Sequence, residues 1–173
     1  KSKDAKNSIK EIVKNTRQKL SVRIDADSPS EADDVLISAL YWLIQCTWGL
    51  PQTLIGLGFF IANRKRNHRM YHGCIDTQWN HHGGLSLGLF IFTPVDSQSN
   101  SERIRVHEYG HAIQSLFLGP FMFFVGVISV SWGNMPYFAK LRKNKHLPYT
   151  ACFVESWASH LGEWATKEAA IWE

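Results

Sequence analysis

Five consecutive residues, His107-Glu108-Tyr109-Gly110-His111, carry the densest chemistry in this chain. Histidines four positions apart fall on one face of a helix, one turn from each other, so both imidazoles can reach a single ion. Neutral imidazole at about 2.0–2.1 Å suits Zn²⁺, whose filled d shell accepts a tetrahedral ligand set. Glu108 follows the first histidine, beside the ion and not on it, where a carboxylate can act as general base toward a zinc-activated water. Gly110 removes a side chain from the same turn. Glycine inside a helix is worse than alanine by about 1 kcal/mol, so its presence points to a packing demand. An HExxH pattern also arises by chance in helices. Here a Gly-rich, β-favouring run precedes it, as an extended substrate laid across the ion would require.

A third ligand is expected downstream, in Phe153-Val154-Glu155-Ser156-Trp157-Ala158-Ser159-His160-Leu161-Gly162. Phe153, Trp157, Leu161 and Trp164 form one apolar stripe. Glu155 points away from it, on a face with Ala158, Ser159 and Gly162. A carboxylate among small residues lets two helices close on a shared ion, and Glu155 is therefore the expected ligand. His160 and Glu163 compete with it, and a solvated surface role for Glu155 is the plainer alternative. His81 and His82 sit at an expected turn, which favours surface or substrate-side roles. A hydrogen-bond donor to the developing oxyanion is needed besides the metal. Tyr149, Tyr137, His160 and His82 are the candidates, and the sequence does not choose among them.

The elements that must position these groups are mostly helical. Ile9, Ile12, Val13 and Leu20 predict a basic amphipathic helix over residues 5–20, followed by an acidic linker over Asp25–Asp34. Ser28-Pro29-Ser30-Glu31 reads as a capping box that starts a helix through Val35–Gln45. The run from Val35 to Asn63 holds no charge, and Gly49 with Pro51 divides it into two helices. Residues 72–94 are punctuated by glycines, and Gly84–Thr93 reads as one strand along the HEYGH helix. Leu85, Leu87, Leu89 and Ile91 would face the core, with Gly84, Leu85 and Ser86 nearest the substrate. Asp96–Ser101 reads as a polar loop. The motif helix runs from near Ser101 to Leu118, where Gly119-Pro120 stops it. Phe121–Trp132 is a further apolar element, Asn134–Pro148 a basic connection, and Thr150–Trp172 a last helix. The expected class is α+β, mainly α, with a small sheet next to the HExxH helix. Residues 1–34 form the N-terminal helix and linker, and 35–173 a single domain.

Composition bounds the rest. A chain of 173 residues, 45% hydrophobic and 20% charged, folds around one core. The net charge of +4 is concentrated in 1–19, 64–69 and 140–145. These clusters read as solvated rims beside apolar segments or, less plainly, as faces toward anionic lipid or nucleic acid. Nothing has the aromatic-interleaved pattern of a nucleic-acid module, so no nucleic-acid partner is expected. Cys46, Cys74 and Cys152 form no CxxC pair, so buried free thiols are expected in place of disulfides or a thiolate metal site. The uncharged run Ala112–Ala139 matches Val35–Asn63 in being long enough to cross a bilayer. Pro51 and Pro120 split both runs, which favours a soluble or peripheral protein over an integral one. The chain opens on Lys1 and stops inside a helix-like pattern, as a processed or excised piece of a longer polypeptide would.

Arg105-Val106-His107-Glu108-Tyr109-Gly110-His111-Ala112-Ile113-Gln114-Ser115, followed by Leu118-Gly119-Pro120, resembles a group of bacterial HExxH proteins. Related segments occur at the ends of some RHS-repeat, toxin-like polypeptides. Leu50-Pro51-Gln52-Thr53-Leu54-Ile55-Gly56, Gly84-Leu85-Ser86-Leu87-Gly88 and 155–162 resemble further blocks, so the likeness covers about residues 40–165. Phe121-Met122-Phe123-Phe124 departs from the Leu-Tyr-Leu-like run expected there, which bears on packing only. The resemblance implies a zincin-like domain of bacterial origin with a glutamate third ligand, the gluzincin arrangement. His107, His111 and Glu155 would hold Zn²⁺ with Glu108 as base. The expectation is a zinc metallopeptidase acting on a peptide or protein. A non-catalytic, toxin-associated binding module and a membrane scaffold with a coincidental HExxH are the competing readings.

Overall fold

The computed structural model describes residues 31–95 and 98–172. The expected helix over 5–20, the linker residues 25–30 and the cap at Ser28–Ser30 lie outside them. Contacts divide the chain into units of residues 1–37 and 38–173, and all that follows concerns the second.

Among the described residues the element order is α1 (Glu31–Thr47), α2 (Leu50–Ala62), β1 (His68–Tyr71), β2 (Cys74–Trp79), β3 (Leu85–Leu87), β4 (Phe90–Pro94), α3 (Gln98–Leu118), α4 (Met122–Asn134), α5 (Pro136–Lys145) and α6 (Phe153–Thr166). Short 3-10 turns at Gly119–Phe121 and Tyr149–Ala151 join α3 to α4 and lead into α6. The architecture is α+β and mainly α, with one four-stranded mixed sheet. Pro51 in the first turn of α2 ends the α1 run where the sequence indicated.

The strands lie in the order β1-β2-β4-β3, with β2 and β4 parallel and both outer pairs antiparallel. Residues 84–93 are therefore not one strand. Gly88, at φ +64°, opens a two-residue turn that folds β3 back on β4 with Leu87 opposite Phe90. A side chain at Gly88 would also strike Thr53 of α2. The expected inward–outward alternation fails for a second reason. Every residue of β4 is buried, because helices cover both of its faces. Phe90 and Phe92 meet Phe60 and Phe59 of α2 at ring distances of 5.4 and 5.9 Å. On the opposite face Thr93 donates to Asp76, which faces Arg105 of α3.

Four further expectations are corrected. The polar loop after β4 is shorter than 96–101, since α3 begins at Gln98. The basic connection 134–148 is itself largely helical: Met135 is extended, Pro136 starts α5, and three cations sit in its last turn, where the helix dipole favours them. The last helix stops at Thr166, where Lys167 takes a left-handed conformation (φ +61°), and residues 168–172 run on as a tail without regular structure. The cysteines are free as expected, but only Cys74 is buried; Cys46 is exposed.

The small-residue face of α6 is what packs. Val154, Glu155, Ala158, Ser159 and Gly162 are its buried positions, while Phe153 and Trp164 of the apolar stripe point outward. At the crossing with α3, a side chain on Gly110 would run into the Ala158 backbone, and one on Gly162 into the Val106 carbonyl. Glycine thus answers the packing demand that its helical penalty implied.

Candidate metal centre

The crossing of α3 and α6 brings His107, His111 and Glu155 together, all buried. Glu155 Oε2 lies 3.1 Å from His107 Nε2 and 3.3 Å from His111 Nε2. The two rings stand perpendicular, 4.8 Å apart. Four-coordinate zinc with bonds of about 2.0–2.1 Å needs neighbouring donor atoms about 3.3–3.4 Å apart, so both histidine–carboxylate spacings are close to those around such an ion, and all three donors lie within 4.8 Å of one another.

The far side of each imidazole decides what these atoms are. His111 Nδ1 meets Gln114 Oε1 at 2.7 Å, and Gln114 Nε2 donates to the Val154 carbonyl at 2.9 Å. That carbonyl can only accept, which fixes the amide; its oxygen then receives the His111 Nδ1–H. His107 Nδ1 meets Ser159 Oγ at 2.8 Å, and Ser159 donates its one hydroxyl proton to the Ile171 carbonyl at 3.0 Å. Ser159 must accept from His107 Nδ1–H. With both Nδ1 atoms protonated, the neutral rings turn bare Nε2 lone pairs toward a carboxylate oxygen. Three acceptors converge with no donor among them. A cation resolves that arrangement, and outer hydrogen bonds of this kind accompany metal-bound histidine. Glu155 Oε1 is likewise buried without a partner in bonding geometry; the nearby Ser129 hydroxyl is engaged with Tyr149 at 2.8 Å.

Electrostatics follow from this burial. Burial lowers His107, against the opposing pull of Glu155. Burial also pulls His111 down, but Glu155 and Glu108 outweigh it and leave it raised. Glu155 would be raised by burial, yet the two imidazoles against it, and any positive charge they carry, hold it well below the usual carboxylate range. Glu108 is pushed up to about 8, chiefly by burial, with His111 opposing and Glu155 adding to the rise. A cation held by the three ligands would favour the ionised Glu108.

Glu108 lies in a cleft of about 740 Å³ together with all three candidate ligands. Gly84, Leu85 and Ser86 line it too, and a side chain at Gly84 would strike the Glu108 carboxylate. The edge strand β3 therefore does lie beside the motif helix. Tyr149 and His82 also reach the cleft. The other candidates do not. His160 is exposed and its ring rests on Trp172 at 4.7 Å. Glu163 accepts from the Ala170 amide and the Trp172 indole and so anchors the tail. Tyr137 is exposed away from the cleft, and His81 rests on Trp79. Sequence reasoning missed Gln114, Ser159 as an orienting group, and the tail carbonyl of Ile171. Gln114 lies three positions after His111 and Ser159 four after Glu155, spacings that place them on the ligands' own helix faces.

Comparison of the chain with family models, with curated proteins and with solved structures finds no match, so the site rests on its own geometry.

Proposed function

We propose that the chain is a zinc-dependent peptidase, with His107, His111 and Glu155 holding the metal in a gluzincin-type arrangement. One observation carries this reading: two imidazoles whose Nδ1 protons are already engaged turn their bare Nε2 atoms onto one carboxylate oxygen. When bound, zinc supplies a Lewis acid that brings the pKa of a water toward about 7 and polarises a carbonyl.

The chain's own residues account for the remainder. Gln114 and Ser159 hold the imidazoles in the ligating tautomer. Glu108 is not a ligand and faces the cleft, so one of its carboxylate oxygens takes the proton of the attacking water and returns it to the leaving nitrogen. The Tyr149 hydroxyl, which meets the Ser129 hydroxyl at 2.8 Å and donates to the Ser129 carbonyl at 3.3 Å, is a donor that can turn to the substrate carbonyl. The outer edge of β3 offers backbone groups for an extended peptide to pair with.

The test is a mixed peptide library digested by wild type and by Glu108→Gln at equal zinc content and read by mass spectrometry. The substitution should leave the zinc in place and lower the cleavage rate by about 10²–10⁴-fold. Equal cleavage by the two proteins would refute the role of Glu108, and no cleavage by a zinc-loaded wild type would refute the peptidase reading.

A further inference from the structure

Helix α4 carries no charged residue, and of its thirteen residues only Val125 is buried. A helix with so little polar surface belongs inside a protein or inside lipid, and beyond the side of Val125, Ser129 and Trp132, α4 is not inside this protein. Phe123, Phe124 and Val130 are 71%, 62% and 61% exposed. Across the cleft, Leu54, Ile55 and Ile61 of α2 are each more than half exposed. An apolar surface of this extent on a monomer marks an interaction face.

The charges around these helices say what covers the face. No Asp or Glu occurs between residues 35 and 75 or between 109 and 154. The charges that border the helices are cations: exposed Arg64, Lys65 and Arg66 follow α2, and exposed Lys140, Lys143 and Lys145 lie on α5. Apolar helices ending in cations match the boundary of an anionic bilayer, where the hydrocarbon takes the side chains and the headgroups take the charge. A second copy of the chain fits less well, because a two-fold contact would set these cations against one another and would cover one face of α4 only. Length decides how deep the helices go. Thirteen residues make about 20 Å of helix, short of the roughly 30 Å hydrocarbon core. The continuous helical run 100–134 has the length and hydropathy of a spanning segment. Its first half, however, bears the buried motif histidines, and Gly119, at φ +50°, breaks it.

Ile55, Phe123, Val127 and Val130 both line the cleft over the candidate metal centre and stand roughly half exposed or more. The mouth of the cleft is thus built from the apolar faces themselves. We propose that α2 and α4 seat this chain in one leaflet of an anionic bilayer, so that the cleft opens at the lipid boundary. The substrate of the peptidase proposed above, on which this consequence rests, is then an apolar stretch of a membrane-associated polypeptide.

Flotation with vesicles of phosphatidylcholine, with and without phosphatidylglycerol, tests the docking. The wild type should float, and more strongly on the anionic vesicles. The combined Leu54→Gln, Phe124→Gln and Ile128→Gln variant alters exposed positions outside the cleft, and its partition should fall roughly tenfold per side chain. Arg64→Gln, Lys65→Gln and Arg66→Gln together should reduce the preference for phosphatidylglycerol, with Lys140, Lys143 and Lys145 left to carry the remainder, and an unchanged preference would overturn the role given to these cations. Zinc content measured on each variant shows whether the site is still folded. A wild type that stays in the aqueous fraction, as a monomer or as a discrete oligomer, overturns the proposal, and so does undiminished flotation of the apolar variant. Flotation without zinc would instead count against the metallopeptidase reading and leave the docking intact.

Discussion

Replacing Gly110 by alanine should damage the candidate metal centre although the residue touches no ligand atom. By helix propensity alone the change favours α3 by about 1 kcal/mol. Against that, the new methyl would run directly into the Ala158 carbonyl oxygen and stand 2.6 Å from its carbonyl carbon and 3.0 Å from its Cα. Ordinary carbon contacts are about 3.5 Å or longer, and backbone cannot rotate out of the way, so α6 must retreat by about 1 Å. Such overpacking costs about 1–3 kcal/mol, which makes the net effect a loss of about 0–2 kcal/mol and a melting temperature lower by up to about 8 °C. The effect on metal should be larger. Two ligands stand on α3 and one on α6, and metal sites tolerate deviations of only about 0.2 Å. Zinc affinity should fall by about 100-fold or more, as measured by competition with a chromophoric chelator, because perturbations of the groups that merely orient ligands already cost 10–100-fold. Gly58→Ala is the control: it lies within α2, a side chain there meets nothing, and it should be neutral or mildly stabilising with zinc unchanged. Wild-type zinc affinity and stability in Gly110→Ala would refute the claim that the close α3–α6 crossing sets the site.

Further outcomes follow from the same geometry. Gln114→Ala and Ser159→Ala should each weaken zinc by about 10–100-fold in the same chelator titration, since each frees an imidazole to turn; unchanged affinity would remove the tautomer argument. Glu155→Ala should strip the metal, Glu155→Gln should retain a weaker site, and His160→Ala should change nothing, as judged by elemental analysis; the reverse pattern would discard the ligand assignment. Burial pushes the Cys74 thiol up to about 12, with its bond to Tyr41 opposing. Its folded pKa exceeds the unfolded one, so the stability tied to it is whole below about pH 8.5 and is lost as pH rises from there toward 12. Urea unfolding from pH 8 to 10 should therefore show a shallower decline in Cys74→Ala than in the wild type; identical slopes would contradict this.

Much of the site was legible because it rests on local spacing. The i, i+4 histidines and the small-residue face around Glu155 are helical periodicities, and helices keep their periodicity whatever surrounds them. The sheet was harder to read. Its hairpin from β1 to β2 turns through His72 and Gly73, both at positive φ, and His-Gly is a weak signal for such a turn beside a run of cations. β4 lacks the alternation of a half-exposed strand because helices cover both of its faces, which only the tertiary arrangement creates. The apolar stripe says less: Phe153 and Trp164 face outward, and the small residues make the contact as their face around Glu155 indicated. Ser159 stands 52 positions after His107, the residue it helps to orient, and the tail carbonyl of Ile171 a further 12 beyond Ser159, and no periodicity links such distant groups.

The zinc content of protein purified without chelators and without added metal tests the assignment of the metal centre most directly. Inductively coupled plasma analysis should find about one zinc per chain in the wild type and in Glu108→Gln, and none in His107→Ala, His111→Ala or Glu155→Ala. A wild type free of transition metal, or zinc that survives all three ligand substitutions, would contradict it.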